Sequence, residues 1–376
     1  MRFLIILPLF LFTIPLIQDA NAQGCVAIRG LSCSGGHFGS SINTGKGEFL
    51  AQAGFRYFKS FRHFRGSHEE ANRVKDGTEV INHSYFLDLS LSYGITNRLY
   101  GNAIIPFVYH NRSSLYEHGG NSFGDRHETS SKGLSDIRLG MGYWLFDPQK
   151  HHSFNYALGL GIKLPTGKYD YKDYFYNQGP DREVVEGVVD QSIQVGDGGT
   201  GFTVDLQGFQ MLSPAFMLSA NLYYLFNVEE TNGVLTRNGR SEFSSPDQFA
   251  VRLGAYYNTS VQGFSAYLGG RVEGVPAMDL IGGSAGYRRP GYAVSIEPAI
   301  SYSKSNYSID ISVPIAISRN RTQSFEDKQR TVQTGVYSQG DAAFADYLIS
   351  VNFAYRFGGK HSMSGIISPD FKDVKE

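Results

Sequence analysis

Large apolar side chains recur at every second position along most of this chain. In FNYALGLGIKL, Phe154, Tyr156, Leu158, Leu160, Ile162 and Leu164 alternate with Asn155, Ala157, Gly159, Gly161 and Lys163. A helix would space its large residues three and four apart; a spacing of two predicts a strand with one apolar face. The same alternation marks segments 84–93, 135–146, 216–226, 248–257, 292–303, 307–318 and 346–357, with weaker versions at 48–58, 99–110, 200–210 and 264–275. These make twelve strands, each of roughly the 9–11 residues that a tilted strand needs to cross a bilayer.

The connections follow a second rule. Short ones (96–98, 147–153, 213–215, 258–263, 304–306) take strict turns with long ones (59–83, 111–134, 165–199, 227–247, 276–291, 319–345). A soluble sandwich has no reason to keep that order, whereas outer-membrane barrels have short periplasmic turns and long extracellular loops. The expected fold is therefore all-β: a transmembrane antiparallel β-barrel of about 12 strands, spanning residues 48–357. An even strand count places both termini in the periplasm. Phe353, Tyr355 and Phe357 give the last strand the aromatic ending that the barrel assembly machinery reads, and a polar periplasmic tail, 358–376, follows.

The two faces differ in chemistry. One carries Tyr85, Leu87, Leu89, Leu91 and Tyr93, then Phe249, Val251, Leu253, Ala255 and Tyr257, then Ile309, Ile311, Val313, Ile315 and Ile317. Aromatics toward the ends and aliphatics between suit outer-membrane lipid. The opposite face carries Asp88, Asp136, Arg138, Lys163, Asp205, Arg252, Arg271, Glu273, Glu297, Asp310 and Arg356. An Arg or Lys on the lipid face near mid-bilayer costs about 2–4 kcal/mol, so these residues are expected to line a polar lumen rich in Gly and Ser.

Composition agrees with a barrel: Gly (44), Phe (27) and Tyr (24) are abundant among 376 residues. Mean hydropathy is −0.24, against a helical membrane protein. A net charge of −1 gives no reason to expect nucleic acid as a partner. Residues 1–22 read as a secretory signal: Arg2, an apolar run from Phe3 to Ile17, and Ala20-Asn21-Ala22 before the cut. With Pro8 and Pro15 inside it, that run is too short and broken to span a bilayer. Cys25 and Cys33 follow the cut and are candidates for a small disulfide; Cys25 as a lipoprotein site is the alternative. Residues 23–47 are rich in Gly and Ser and form a periplasmic lead that either folds into the lumen as a plug or stays disordered.

Several short patterns imitate catalytic motifs without their context. GDGGTG (196–201) runs into an alternating strand, FTVDLQ, where a dinucleotide fingerprint needs a helix. GGSAG (282–286) places Ser284 in a long loop rather than at a strand-to-helix elbow. His151 and Ser153 have the spacing of a barrel phospholipase pair but fall in a short turn beside Pro148. His63, His68, His118 and His127 sit near acidic residues in long loops without tight ligand spacing. No catalytic residue, metal or cofactor is expected.

GLSDIRLGMGYWLF (133–146) followed by ALGLGIKLPTGKYD (157–170) resembles the outer-membrane family linked to the phenol meta-cleavage degradation pathway. Gly133, Leu134, Asp136, Lys163, Pro165, Thr166 and Gly167 carry the match. The resemblance implies a β-barrel that helps hydrophobic or aromatic compounds cross the outer membrane, and it brings no substrate-binding residues. Two functions stay open: a channel or transporter for passive diffusion of small molecules, and a non-conducting barrel that displays its loops, its lumen closed by ion pairs. Pro106, Pro165 and Pro314 are expected on the inward face near the outer ends of strands, where they end the ladder or mark a lateral exit.

Overall fold

The computed structural model describes residues 44–119 and 125–359. The expected signal segment, the Cys25 and Cys33 pair, most of the 23–47 lead and the tail from 360 onward lie outside the described residues. Twelve barrel strands follow in order: β1 (Glu48–Arg65), β2 (Ile81–Gly94), β3 (Leu99–Ser114), β4 in two pieces (His127–Leu134 and Arg138–Trp144), β5 (Phe154–Lys163) and β6 (Gly201–Met211). The second half comprises β7 (Phe216–Asn227), β8 (Gln248–Asn258), β9 (Phe264–Val275), β10 (Gly291–Lys304), β11 in two pieces (Tyr307–Ser312 and Ile315–Arg321) and β12 (Ala342–Gly358). Each pairs antiparallel with the next, and β12 closes onto β1 from Glu48↔Gly358 to Phe64↔Ala342.

The period-two pattern sets which side is greasy. Leu160, Leu253, Ile300 and Ile317 on the outside are 53–61% exposed, while Asp88 and Glu297 on the inside are 0% exposed. So continuous an exposed apolar surface does not face water in a stable protein. Two aromatic levels bound it: Phe49 stacks with Tyr93 and Phe357 at the short-turn end, and Tyr85 lies between Tyr57 and Tyr109 at the other. From Tyr85 to Tyr93 is about 27 Å along the strand, or about 20 Å across a bilayer at the usual tilt.

The strands are longer than the alternation predicts. β1 reaches Arg65, not residue 58; β3 reaches Ser114, not 110; β12 starts at Ala342, not 346; and 127–134, read as loop, is strand. The excess forms a collar beyond the second aromatic level. There polar and aromatic residues mix along the strand, as in KSFRHFR (59–65), so ladder hydrogen bonds continue without the regular alternation of lipid contact. Within the loops, Lys172–Gln178 pairs with Glu183–Val188, Thr231–Leu235 pairs with Glu242–Ser244, and two helices form, α1 (Asn72–Lys75) and α2 (Phe325–Thr334). Helix α2 starts on a reciprocal cap between Ser324 and Asp327 and stops at Gly335, which adopts φ 69°.

Prolines explain both broken strands. Pro106 has no N–H for the ladder, and β4 breaks opposite it, with Ser135 N–H donating to the Pro106 carbonyl at 2.8 Å. The break in β11 contains Pro314 and lies beside Pro298, whose carbonyl accepts from Val313 N–H at 3.1 Å. Pro106 and Pro314 are buried, but Pro106 sits in mid-strand, and Pro165 is exposed in the turn after β5 rather than inward-facing.

Candidate functional site

The inner face is built in tiers. Toward the long-loop end lies an apolar tier: Phe58 of β1, Phe86 of β2, Val108 of β3 and Leu348 of β12, all buried and packed with Val195 from the loop after β5. The lumen is therefore not uniformly polar. Below it runs a charged tier. Arg56 pairs with Asp88 at 3.2 Å and lies over the Phe86 ring. Glu297 accepts from Arg252 at 2.7 Å and stands 3.9 Å from Arg271, which pairs with Glu273 at 2.7 Å. Toward the short turns come rings: Tyr100 near Trp144, Trp144 edge-on to Phe209, and Tyr256 against Tyr267.

The small face of β5 acquires a purpose here. Gly140 and Gly142 of β4 pair with Gly161 and Gly159 of β5. A Cβ at Gly142 would lie 2.2 Å from the Tyr100 hydroxyl, one at Gly140 2.4 Å from Asn102 Oδ1, and one at Gly161 2.6 Å from Thr203 Oγ1. The missing side chains let those of β3 and β6 lie flat on the wall. In the space so gained is a half-enclosed cavity of 50 Å³, lined by Tyr100, Asn102, Arg138, Thr203, Asp205, Gln207 and Tyr223.

One loop segment, 190–197, enters the mouth at the long-loop end. Ile193, Gln194 and Val195 are buried. Ser131 donates to the Ile193 carbonyl, Ser135 donates to the Val195 carbonyl at 2.5 Å, and Arg112 donates to Ser192 at 3.4 Å. Asp190 anchors the segment through two bonds from Arg289, at 2.7 and 2.6 Å, with Arg112 at 3.6 Å. Burial alone would push the Asp190 carboxyl up; the Arg112 and Arg289 guanidiniums hold it well below the usual carboxylate range.

The GLSD and KLPTG residues tie down the base of that same loop. Asp136 accepts from the backbone N–H of Gly167 at 3.0 Å and of Asp197 at 3.1 Å. Thr166 accepts from Ile137 N–H and donates to the Ser135 carbonyl, both at 2.9 Å. Lys163 pairs with Asp197. Gly167 and Gly196 approach so closely that a Cβ on Gly196 would lie 2.5 Å from the Gly167 carbonyl oxygen. Asp136 and Lys163, read from sequence as lumen charges, thus serve the broken strand and its loop.

The other charged positions are placed as follows. Arg138 and Asp205 face the cavity. Asp310 is buried opposite Ser301 on the β10–β11 ladder. Arg356 pairs with Glu48 at 3.0 Å beside the short turns. The sequence reading did not single out Arg56 and Glu48, the partners of Asp88 and Arg356. Among the imitation motifs, Ser284 accepts from Asp279 N–H at 2.8 Å, and His151 packs between Phe146 and Phe154 in a short turn. His63 bonds Asp341 through Nδ1 at 2.7 Å and accepts from Val80 N–H through Nε2 at 2.9 Å.

His118 gives the loops a pH dependence. It is buried, accepts from Tyr176 N–H at 3.1 Å through Nδ1 and stacks near His127 and Phe175. Burial pushes its pKa down to about 4, from 6.5. A folded pKa below the unfolded one means that the unfolded loop binds the proton first. The stabilisation is complete above 6.5 and is lost as pH falls from there to about 4. Hydrogen-exchange protection at Tyr176 is expected to fall over that window and to stay level in His118→Gln; a fall of equal size in both would refute the assignment.

A family model described as "Putative MetA-pathway of phenol degradation" matches residues 75–333. Among solved structures, the fold is similar to the COG4313 outer membrane channel from Pseudomonas putida F1, at TM-score 0.57 and 11% identity over 85% of this chain and 99% of that one. The Pseudomonas putida toluene transporter TodX overlaps at TM-score 0.38 and 10% identity, over 85% of this chain and 91% of that one. The β domain of the Bordetella autotransporter Brka overlaps at TM-score 0.43 and 14% identity, over 82% and 100%. At 11% identity the likeness to the COG4313 channel is one of fold. Comparison with curated protein sequences gives no match.

Proposed function

The chain belongs to the phenol-degradation MetA-pathway family, and from that premise we propose that it is a channel of the Gram-negative outer membrane through which small hydrophobic or aromatic molecules diffuse passively. The observation that carries the reading is the tiered interior. An apolar tier at one end, a ring-lined and partly open tier at the other, and ion-paired charges between offer a greasy molecule successive footholds along one axis. In this reading the short turns face the periplasm and the collar with its loops faces outward. Lipid covers the apolar belt, and Phe353, Tyr355 and Phe357 address β12 to the barrel assembly machinery. Purified protein in planar bilayers should give discrete conductance steps, and cells lacking it should take up toluene or phenol more slowly. Failure of both measurements would remove the channel reading.

A second reading, a closed barrel that displays its loops, is favoured by one observation: segment 190–197 enters the mouth and packs Val195 against the apolar tier.

A further inference from the structure

Four polar atoms on one level of the lumen wall have no partner among the described residues: Trp144 Nε1, Gln207 Oε1, and both Nδ2 and Oδ1 of Asn221. Their residues are buried, at 1%, 8% and 8% exposure. They share a ladder row, since Trp144 pairs with Ala157, Ala157 with Gln207, and Gln207 with Asn221. Gln207 and Tyr100 line the half-enclosed cavity. Gln207 donates its other amide atom, Nε2, to the Tyr100 hydroxyl at 2.6 Å, which fixes the amide with its carbonyl oxygen unused. Buried polar groups left unpaired are destabilising, so a row of them invites a molecule that supplies both a donor and an acceptor. Ala157, between Trp144 and Gln207, adds almost no bulk.

We infer that Trp144, Gln207 and Asn221, with Tyr100, form a binding subsite at the short-turn end of the lumen for a small, flat, uncharged molecule bearing one hydrogen-bonding group, such as a hydroxylated aromatic. The half-enclosed 50 Å³ beside Gln207 and Tyr100 suits the polar group and the ring edge, and the rest of the ring lies in the lumen against Tyr100 and Trp144. An uncharged ligand fits because the cavity faces one cation and one anion, Arg138 and Asp205, and the nearest cation along the row, Arg252, already serves Glu297 at 2.7 Å. The inference rests on the channel reading for its ligand class, but it is tested by binding rather than by flux.

Trp144 is the only tryptophan in the chain, so it reports from inside the subsite. The full-length protein, folded in detergent, is titrated with phenol and separately with toluene. Trp144 emission is excited on its red edge, where neither absorbs, with free tryptophan as the quenching control. Phenol is expected to give a saturable change and to bind at least about tenfold more tightly than toluene, the ratio that one satisfied hydrogen bond supplies. Gln207→Leu and Asn221→Leu are each expected to erase most of that preference. An unchanged Trp144 emission maximum without ligand shows that the variants are folded, and Gln207→Glu provides a second test that keeps an acceptor. No saturable change with phenol, equal affinity for phenol and toluene, or a preference unaffected in the folded variants overturns the subsite. Conductance without phenol binding overturns the subsite alone, whereas binding with neither conductance nor uptake leaves it standing and removes the channel reading.

Discussion

Replacing Glu297 with alanine is expected to destabilise the barrel by about 3–5 kcal/mol, the usual effect of removing one partner from a buried ion pair. Glu297 is 0% exposed and stands between Arg252 at 2.7 Å and Arg271 at 3.9 Å. Arg271 keeps Glu273 at 2.7 Å, so Arg252 suffers most, with its guanidinium left over the Tyr267 ring at 4.5 Å. A cation on an aromatic face recovers about 0.5–2 kcal/mol, less than the lost carboxylate. Glu297→Gln should cost less than Glu297→Ala, because it preserves an acceptor and loses only the charge. Urea unfolding in detergent, followed by Trp144 emission, measures both. A Glu297→Ala loss under about 1 kcal/mol, the range of an exposed pair, would mean that water reaches this tier freely and that the pair is not buried in the working protein.

Excising residues 190–196 and bridging the gap with glycines is expected to turn a weakly conducting barrel into a strongly conducting one. The segment supplies Val195 to the apolar tier and bonds to Ser131, Ser135 and Arg112 on the wall. Without it, Phe58, Phe86, Val108 and Leu348 lose the side chain packed on them. Asp197 stays in the shortened chain, so its pair with Lys163 still ties the loop base. Asp190→Ala is the milder form: it removes the two bonds from Arg289 and the longer contact with Arg112, which keeps Glu117 at 2.8 Å, and should give frequent brief openings rather than a stable open state. Planar-bilayer recordings of the three proteins decide. Equal conductance in all would show that the segment does not obstruct the path, and silence in all would favour the loop-displaying barrel.

The barrel was legible because lipid imposes a strict period of two, and it imposes it only where lipid lies. That is why the belt of β2, from Tyr85 to Tyr93, reads clearly, and why the collar at 59–65, where Lys59, Arg62 and Arg65 interrupt the alternation, reads as loop. The apolar tier did leave a trace. At one level the alternation lapses into unbroken runs: Tyr57-Phe58, Tyr85-Phe86-Leu87, Phe107-Val108-Tyr109 and Tyr347-Leu348-Ile349. Each run sets one large apolar residue on the inward face, and four strands carry one. Segment 190–197 left no comparable trace. DQSIQVGD has two apolar residues, and its burial depends on serines and arginines from strands far away in sequence. Asp136 and Lys163 read as lumen charges for the same reason: their partners, Gly167 and Asp197, come beside them only once the loop has folded back.

That fold-back bears on what kinship means here. The residues by which the chain resembles its relatives, Asp136, Lys163, Thr166 and Gly167, fasten a hinge-like joint between a broken strand and the loop that enters the mouth. They touch the loop, not the half-enclosed cavity. A lineage sorted by such residues is sorted by how its doorway is hung. If the proposed subsite sets the preference for a cargo, that preference rests on other residues, Gln207 and Asn221, so kin by this signature are free to differ in what they bind.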